Sequence, residues 1–145
     1  WYKAAYFSPD HGGVGVPGYF TYATQSSATP GNQPGAAANQ MNVYVGDFSF
    51  TQSSVYSAEQ NYLTDVGAFS ESHGYYGTFD MNGNVYQWND LDGPANASRG
   101  VIGGFWFGGP VSASNTLVSG QAATYEGSDV GFRLVAPVPE GFSAC

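Results

Sequence analysis

The sequence predicts a loop-rich α+β domain with little regular secondary structure. Three observations predict it. Aromatic side chains make up 17% of the 145 residues and charged ones only 10%, the reverse of a disordered chain. Turn formers abound, with 21 Gly and 8 Pro, while Lys and Glu are scarce. Apolar runs are short and cut by Gly or Pro, which favours short strands over long helices. The length suits about one domain, and no internal repeat or domain boundary is visible.

Taken in order, residues 1–7 (WYKAAYF) suit a helix end, stopped by Ser8, Pro9 and Asp10. His11 to Pro17 (HGGVGVP) is a turn or loop. Residues 18–24 (GYFTYAT) alternate aromatic and small side chains and read as a short strand. Residues 25–40 are rich in Ser, Pro, Gly, Ala, Asn and Gln and read as a long loop. A strand is expected within 41–50 (MNVYVGDFSF), followed by an irregular stretch over 51–75. Residues 77–90 (GTFDMNGNVYQWND) combine a tight turn at Asn82-Gly83-Asn84 with an apolar-alternating end. VIGGFWFGG (101–109) reads as a glycine-flanked aromatic strand. DVGFRLVAP (129–137) is the clearest strand, ended by Pro137 and Pro139.

The charge balance narrows the function classes. With 3 basic and 11 acidic residues the formal net charge is −8. Three cations cannot form the basic face that nucleic acid or an anionic membrane requires. The acidic balance is compatible with cation binding. The one cysteine, Cys145, excludes an intrachain disulfide and a Cys-rich metal site; a free thiol and an intermolecular disulfide both remain open. No apolar run approaches the ~18 residues of a membrane span, and no signal peptide is visible. The start at Trp1, without Met, implies an upstream segment.

Side-chain chemistry gives few catalytic patterns. His11 and His73 lie in Gly-rich loops and could bind a metal with Glu71 or Asp10, but their spacing matches no ligand motif. No GxSxG elbow accompanies the many serines. Asp80, Asp90, Asp92, Glu126 and Asp129 supply carboxylates without a spacing that pairs them for hydrolysis. Asn96-Ala97-Ser98 is a formal glycosylation sequon. Trp88, Phe105, Trp106, Phe107 and Phe132 are expected mainly in the core, whereas Tyr75, Tyr76 and Tyr125, in polar loops, could form a binding face.

Four blocks carry a family resemblance. WYKAAYF is similar to the "EWE-AA" helix end of the formylglycine-generating-enzyme (sulfatase-modifying-factor) family. GTFDMNGNVYQWND resembles its hallmark "GLYDM-GNVWEW". RGVIGGFW (99–106) resembles "RVLRGGSW", and SDVGFRLV (128–135) resembles the closing "DIGFR". Their order and spacing match the family and span nearly the whole chain. The GNVYQW block is the specific one. The stretch 62–80 also resembles a bacterial subgroup of exported members that end in a sorting tail after Val-Pro-Glu-Pro. Here Val138, Pro139 and Glu140 are followed by Gly141, with no hydrophobic tail after them.

The resemblance implies a C-type-lectin-like fold and a secreted or cell-surface protein, with residues 1–145 as the C-terminal part of a single domain. Family domains place roughly a further hundred residues upstream. Without them, strand edges need covering by another polypeptide or by copies of the chain. Catalytic members hold copper with a cysteine pair, and iron-dependent relatives use a histidine cluster. This chain has no cysteine between Trp1 and Ala144 and only two histidines, so the resemblance implies no enzyme activity. It does imply a structural calcium, held by Asp80, Gly83, Val85 and Gln87. Gln87 replaces the family's glutamate and costs a negative charge; all four remain oxygen donors of the kind calcium takes. A second calcium would use Asn42, Val43 and an acid between Glu59 and Asp65. The lectin-like fold presents a binding face from about Phe107 to Ser128, which makes a glycan or surface ligand possible. Two functions follow: a non-catalytic structural or binding module, or a degenerate or incomplete oxidoreductase whose catalytic groups lie outside the chain.

Overall fold

The computed structural model describes residues 1–89, 98–117 and 119–134. The expected helix is present as α1 (Tyr2–Tyr6), which buries Ala5 and Tyr6 and exposes Tyr2 and Lys3. It stops one residue early because Phe7 is already extended (φ −76°, ψ 141°). β1 (Phe7–Ser8) then pairs antiparallel with β2 (Gly18–Tyr19), Phe7 opposite Tyr19. The loop between them is closed by the Asp10 carboxylate, which accepts the Gly15 N–H at 2.7 Å.

The remaining strands form one sheet in the order β5-β4-β3-β6. β3 (Tyr86–Trp88) pairs antiparallel with β4 (Ser98–Ile102), and β4 with β5 (Ser119–Ala122). β6 (Val130–Gly131) lies parallel to β3, Tyr86 opposite Val130. A 3₁₀ turn over Pro110–Ala113 begins with proline, whose fixed φ suits the first helical position.

Several expected strands differ. The run 18–24 is a strand only at Gly18–Tyr19; Tyr22 and Ala23 turn inward and are buried. The stretch 41–50 forms no strand, only an isolated bridge between Phe48 and Ser53; Met41, Val43 and Phe48 turn into the core while Val45 and Phe50 stay exposed. The strand expected over 101–109 lies at 98–102 instead. It ends where Gly103 (φ 99°) and Gly104 (φ 77°) turn left-handed, and a Cβ on Gly104 would meet Ala113 at 2.8 Å. β5, Ser-Gly-Gln-Ala, carries no apolar alternation and was not predictable by pattern. Pro137, Pro139, Asp90, Asp92, Asn96 and Cys145 lie outside the described residues.

Among the described residues the core holds two small apolar clusters, beside further buried side chains such as Phe48, Tyr62 and Val101. One joins Ala5, Tyr6, Ala23, Met81 and Ile102, with Trp1 packed against it. The other joins Tyr22, Met41, Val43 and Ala113. The aromatics expected inside are a partial correction. Trp88, Phe105 and Trp106 are half-buried, but Phe107 is 53% and Phe132 75% exposed. A two-residue strand leaves Phe132 beyond its pairing register, and among the described residues no facing layer covers it. Among the described residues no helix is long and apolar enough to cross a membrane.

Candidate functional site

Residues 80–87 wind tightly because several of them adopt left-handed backbone. Asp80 (φ 53°), Gly83 (φ 76°) and Asn84 (φ 66°) all do so. Asp and Asn tolerate that region better than other non-glycine residues. Gly83 has no alternative: a Cβ there would sit 2.6 Å from the Asn42 carbonyl oxygen. Its N–H donates to Gly103 O at 2.7 Å, which ties the turn to the end of β4.

Asp80, Gly83, Val85 and Gln87, the four residues expected around calcium, line one cavity of about 240 Å³ together with Val66, Asn84, Phe132 and Arg133. The Asp80 carboxylate accepts the Gly67 N–H at 2.9 Å. The Asp80 carbonyl accepts the Gln87 side-chain amide at 3.3 Å and a hydrogen bond from the Arg133 guanidinium. The Gln87 amide oxygen accepts the Trp1 indole N–H at 2.5 Å. Partial burial lowers the Arg133 pKa, and the nearby Asp80 charge opposes that shift.

As a donor set this fits calcium, which takes carboxylate, amide and carbonyl oxygens. The fit is that of a weak site. Among the described residues Asp80 is the one carboxylate on the cavity wall, and Arg133 brings a competing positive charge to it. Sequence reasoning missed Arg133, because only the parallel β3–β6 pairing carries it to the turn.

Asn42 and Val43 are fully buried beside this turn. The Asn42 side-chain nitrogen faces three oxygens: Tyr62 O at 2.9 Å, Asn84 Oδ1 at 2.9 Å and Thr64 Oγ1 at 3.3 Å. All three are neutral, so the acid expected between Glu59 and Asp65 is not among its hydrogen-bond partners; the loop supplies a carbonyl and a hydroxyl instead. Asn84, which sequence reasoning also passed over, joins the two places. It donates from its backbone to Asn42 O at 2.9 Å and from its side chain to Thr64 O at 3.1 Å. Its side-chain oxygen accepts the Thr64 N–H at 3.0 Å, and its carbonyl accepts the Trp106 N–H at 3.0 Å. Its place in the Asn-Gly-Asn turn was the available signal.

The other candidate groups stay apart. His11 packs edge-on against Phe20, and His73 Nδ1 lies 3.2 Å from the Gln25 amide. Among the described residues no three of His, Cys, Asp and Glu come together as a metal would require. Asp129 accepts the Tyr125 hydroxyl at 2.9 Å, which raises the Tyr125 pKa. Tyr75 and Tyr76 meet edge-to-face at 5.3 Å, and Tyr76 stacks on Phe7.

Among curated proteins none matches this sequence. Among solved structures, CarF is similar, with a TM-score of 0.58 and 21% identity over 96% of this chain and 44% of CarF. Treponema denticola variable protein 1 gives a TM-score of 0.41 and 24% identity over 48% of this chain and 30% of that one. The chain therefore spans less than half the length of either. The likeness to CarF establishes the fold, the loop-rich α+β type of the formylglycine-generating enzymes, itself C-type-lectin-like. The model of the sulfatase-modifying factor enzyme 1-like domain matches residues 15–138, and the chain belongs to that family.

Proposed function

We propose that this chain is a non-catalytic structural or binding module, secreted or displayed at the cell surface, whose hallmark turn is held by a structural calcium. The observation that carries the reading is the convergence of Asp80, Gly83, Val85 and Gln87 on one cavity, in a chain without an internal cysteine. Asp80 would supply the charge, Gly83 and Val85 their carbonyls, and Gln87 an amide oxygen once its amide, whose nitrogen faces the Asp80 carbonyl and whose oxygen takes the Trp1 indole N–H, is turned. At the second place, turning the Asn42 amide over would add its oxygen to those of Tyr62, Thr64 and Asn84, an all-oxygen set suited to the same ion. A polar, weakly charged composition and the resemblance to exported members support the location. The exposed Phe132 and Leu134, 75% and 90% accessible, support packing against another chain or a second copy.

Calcium that binds only the folded state stabilises it by linkage. Chelation is therefore expected to lower the melting temperature by about 5 °C, corresponding to one or two kcal/mol for a domain of this size. Asp80→Ala should abolish the chelator's effect, and Arg133→Gln should strengthen calcium binding by removing the competing charge. Identical melting curves with and without a strong chelator would make the block a hydrogen-bonded turn only.

A second reading, an oxidoreductase of the formylglycine-generating type with catalytic groups outside this chain, is favoured by one observation: the chain covers 44% of CarF. A sulfatase-type cysteine peptide, offered to this chain together with the remaining part of its domain, separates the two. No conversion to formylglycine is expected, with or without copper, because this chain, which carries the family's closing blocks, has no thiolate pair to hold Cu(I). Turnover above a protein-free control would reverse the assignment.

A further inference from the structure

Residues 55–63 form a loop built around one ring. Tyr62 is 3% exposed, and its hydroxyl accepts the Ser57 N–H at 2.8 Å. Its ring lies parallel to Trp106 (4.9 Å, 7°), and Tyr56 lies parallel to both, at 5.7 Å from Tyr62 and 6.4 Å from Trp106. These spacings form a triangle, not a column: a column would separate its outer rings by the sum of the two smaller distances. Phe48 packs against Tyr62 at 4.4 Å and stacks on Phe107 at 5.8 Å. Trp106 is thus set in a packed aromatic group and is itself only half-buried.

Beside this group lies a cleft of about 330 Å³. Trp106 and Tyr62 line it with Glu59, Gln60, Asn61 and Ser128. The loop orients the two amides itself. Asn61 Oδ1 accepts the Leu63 N–H at 3.0 Å, and Gln60 Nε2 donates to Asn61 O at 2.7 Å. This leaves the Asn61 side-chain nitrogen as a donor, and the Gln60 amide oxygen and Glu59 carboxylate as acceptors. None of these three has a hydrogen-bond partner among the described residues.

An aromatic wall beside a rim of planar donors and acceptors suits a ligand with an apolar face and a polar edge. A pyranose ring is such a ligand: its C–H face packs on an aromatic ring, and each hydroxyl both donates and accepts. An anionic ligand is disfavoured by Glu59 and the net charge of −8. A proline-rich peptide offers carbonyls to the Asn61 nitrogen but, lacking N–H groups at its prolines, leaves the Gln60 oxygen and the Glu59 carboxylate short of donors. The volume lies at the small end of ligand pockets, which begin at about 300 Å³, and suits a short saccharide. Resting on the binding-module reading above, we propose that the cleft between Trp106 and Glu59–Asn61 binds a neutral saccharide.

The test uses maltose, cellobiose, lactose and N,N′-diacetylchitobiose, followed by tryptophan fluorescence and saturation-transfer NMR. At least one is expected to bind saturably. Asn61→Asp, which keeps the oxygen that holds Leu63 and removes only the donor nitrogen, and Glu59→Gln should each weaken it about three- to tenfold with the melting temperature unchanged, since both side chains are exposed. Trp106→Ala should abolish it. Were Trp106→Ala to misfold, the two exposed variants would still decide. Binding should persist in chelator, which separates this site from the calcium turn, and the formylglycine assay tests the module reading independently. No binding by any of the four sugars, binding indifferent to both exposed variants, or preference for an aromatic peptide over all four would overturn the proposal.

Discussion

Gly83→Ala is expected to destabilise the domain by about 3 kcal/mol or more, a fall in melting temperature of about 10 °C for a chain this size. Two costs add. The left-handed φ of 76° penalises any side chain. The new methyl also meets a backbone oxygen, Asn42 O, at 2.6 Å, and backbone cannot rotate away as a side chain can. Relief requires pulling the turn from Asn42, which breaks the 2.9 Å bond from Asn84 N–H to the same oxygen. The matched control is Gly109→Ala. Gly109 has an ordinary φ of −69°, and its nearest obstacle is 3.9 Å away, so a change within about 0.5 kcal/mol is expected. Calorimetry on the pair checks this, and equal melting temperatures would show that the turn yields.

Asn82→Ala should cost about 2–4 kcal/mol by leaving buried partners unpaired. Asn82 is 6% exposed. Its oxygen accepts the Ala23 N–H at 2.7 Å, and its nitrogen donates to the Tyr6 hydroxyl at 3.0 Å. Tyr6 in turn donates to Ala113 O at 3.1 Å. One side chain therefore links α1, the loop after β2, the hallmark turn and the 3₁₀ turn. Burial raises the Tyr6 pKa, consistent with a hydroxyl held neutral. Combining Asn82→Ala with Tyr6→Phe should cost less than the sum of the two single changes, because they break one shared bond. Strict additivity in denaturant titrations would mean the two residues act separately.

Residue types alone were enough for the loop-rich α+β class, the opening helix and the Asn82–Asn84 turn, which follow from local rules: which residues tolerate positive φ, and where proline and glycine interrupt. The family, and the four residues that share one cavity, came through the resemblance of a short block, GNVYQW, and not from those rules. The tertiary structure alone decided what meets that cavity. Arg133 reaches Asp80 only because β6 pairs parallel with β3, and no periodicity announces a two-residue strand. The tie between Asn42 and Asn84 and the grouping of Tyr56, Tyr62 and Trp106 each join segments far apart in the chain. β5 was invisible for the same reason, since Ser119–Ala122 is a strand by virtue of its hydrogen-bonded neighbour β4 rather than any apolar pattern. Local conformation is set by nearby chain atoms and can be read from residue type. Which distant groups share a cavity is set by how loops pack once regular elements are too short to dictate it.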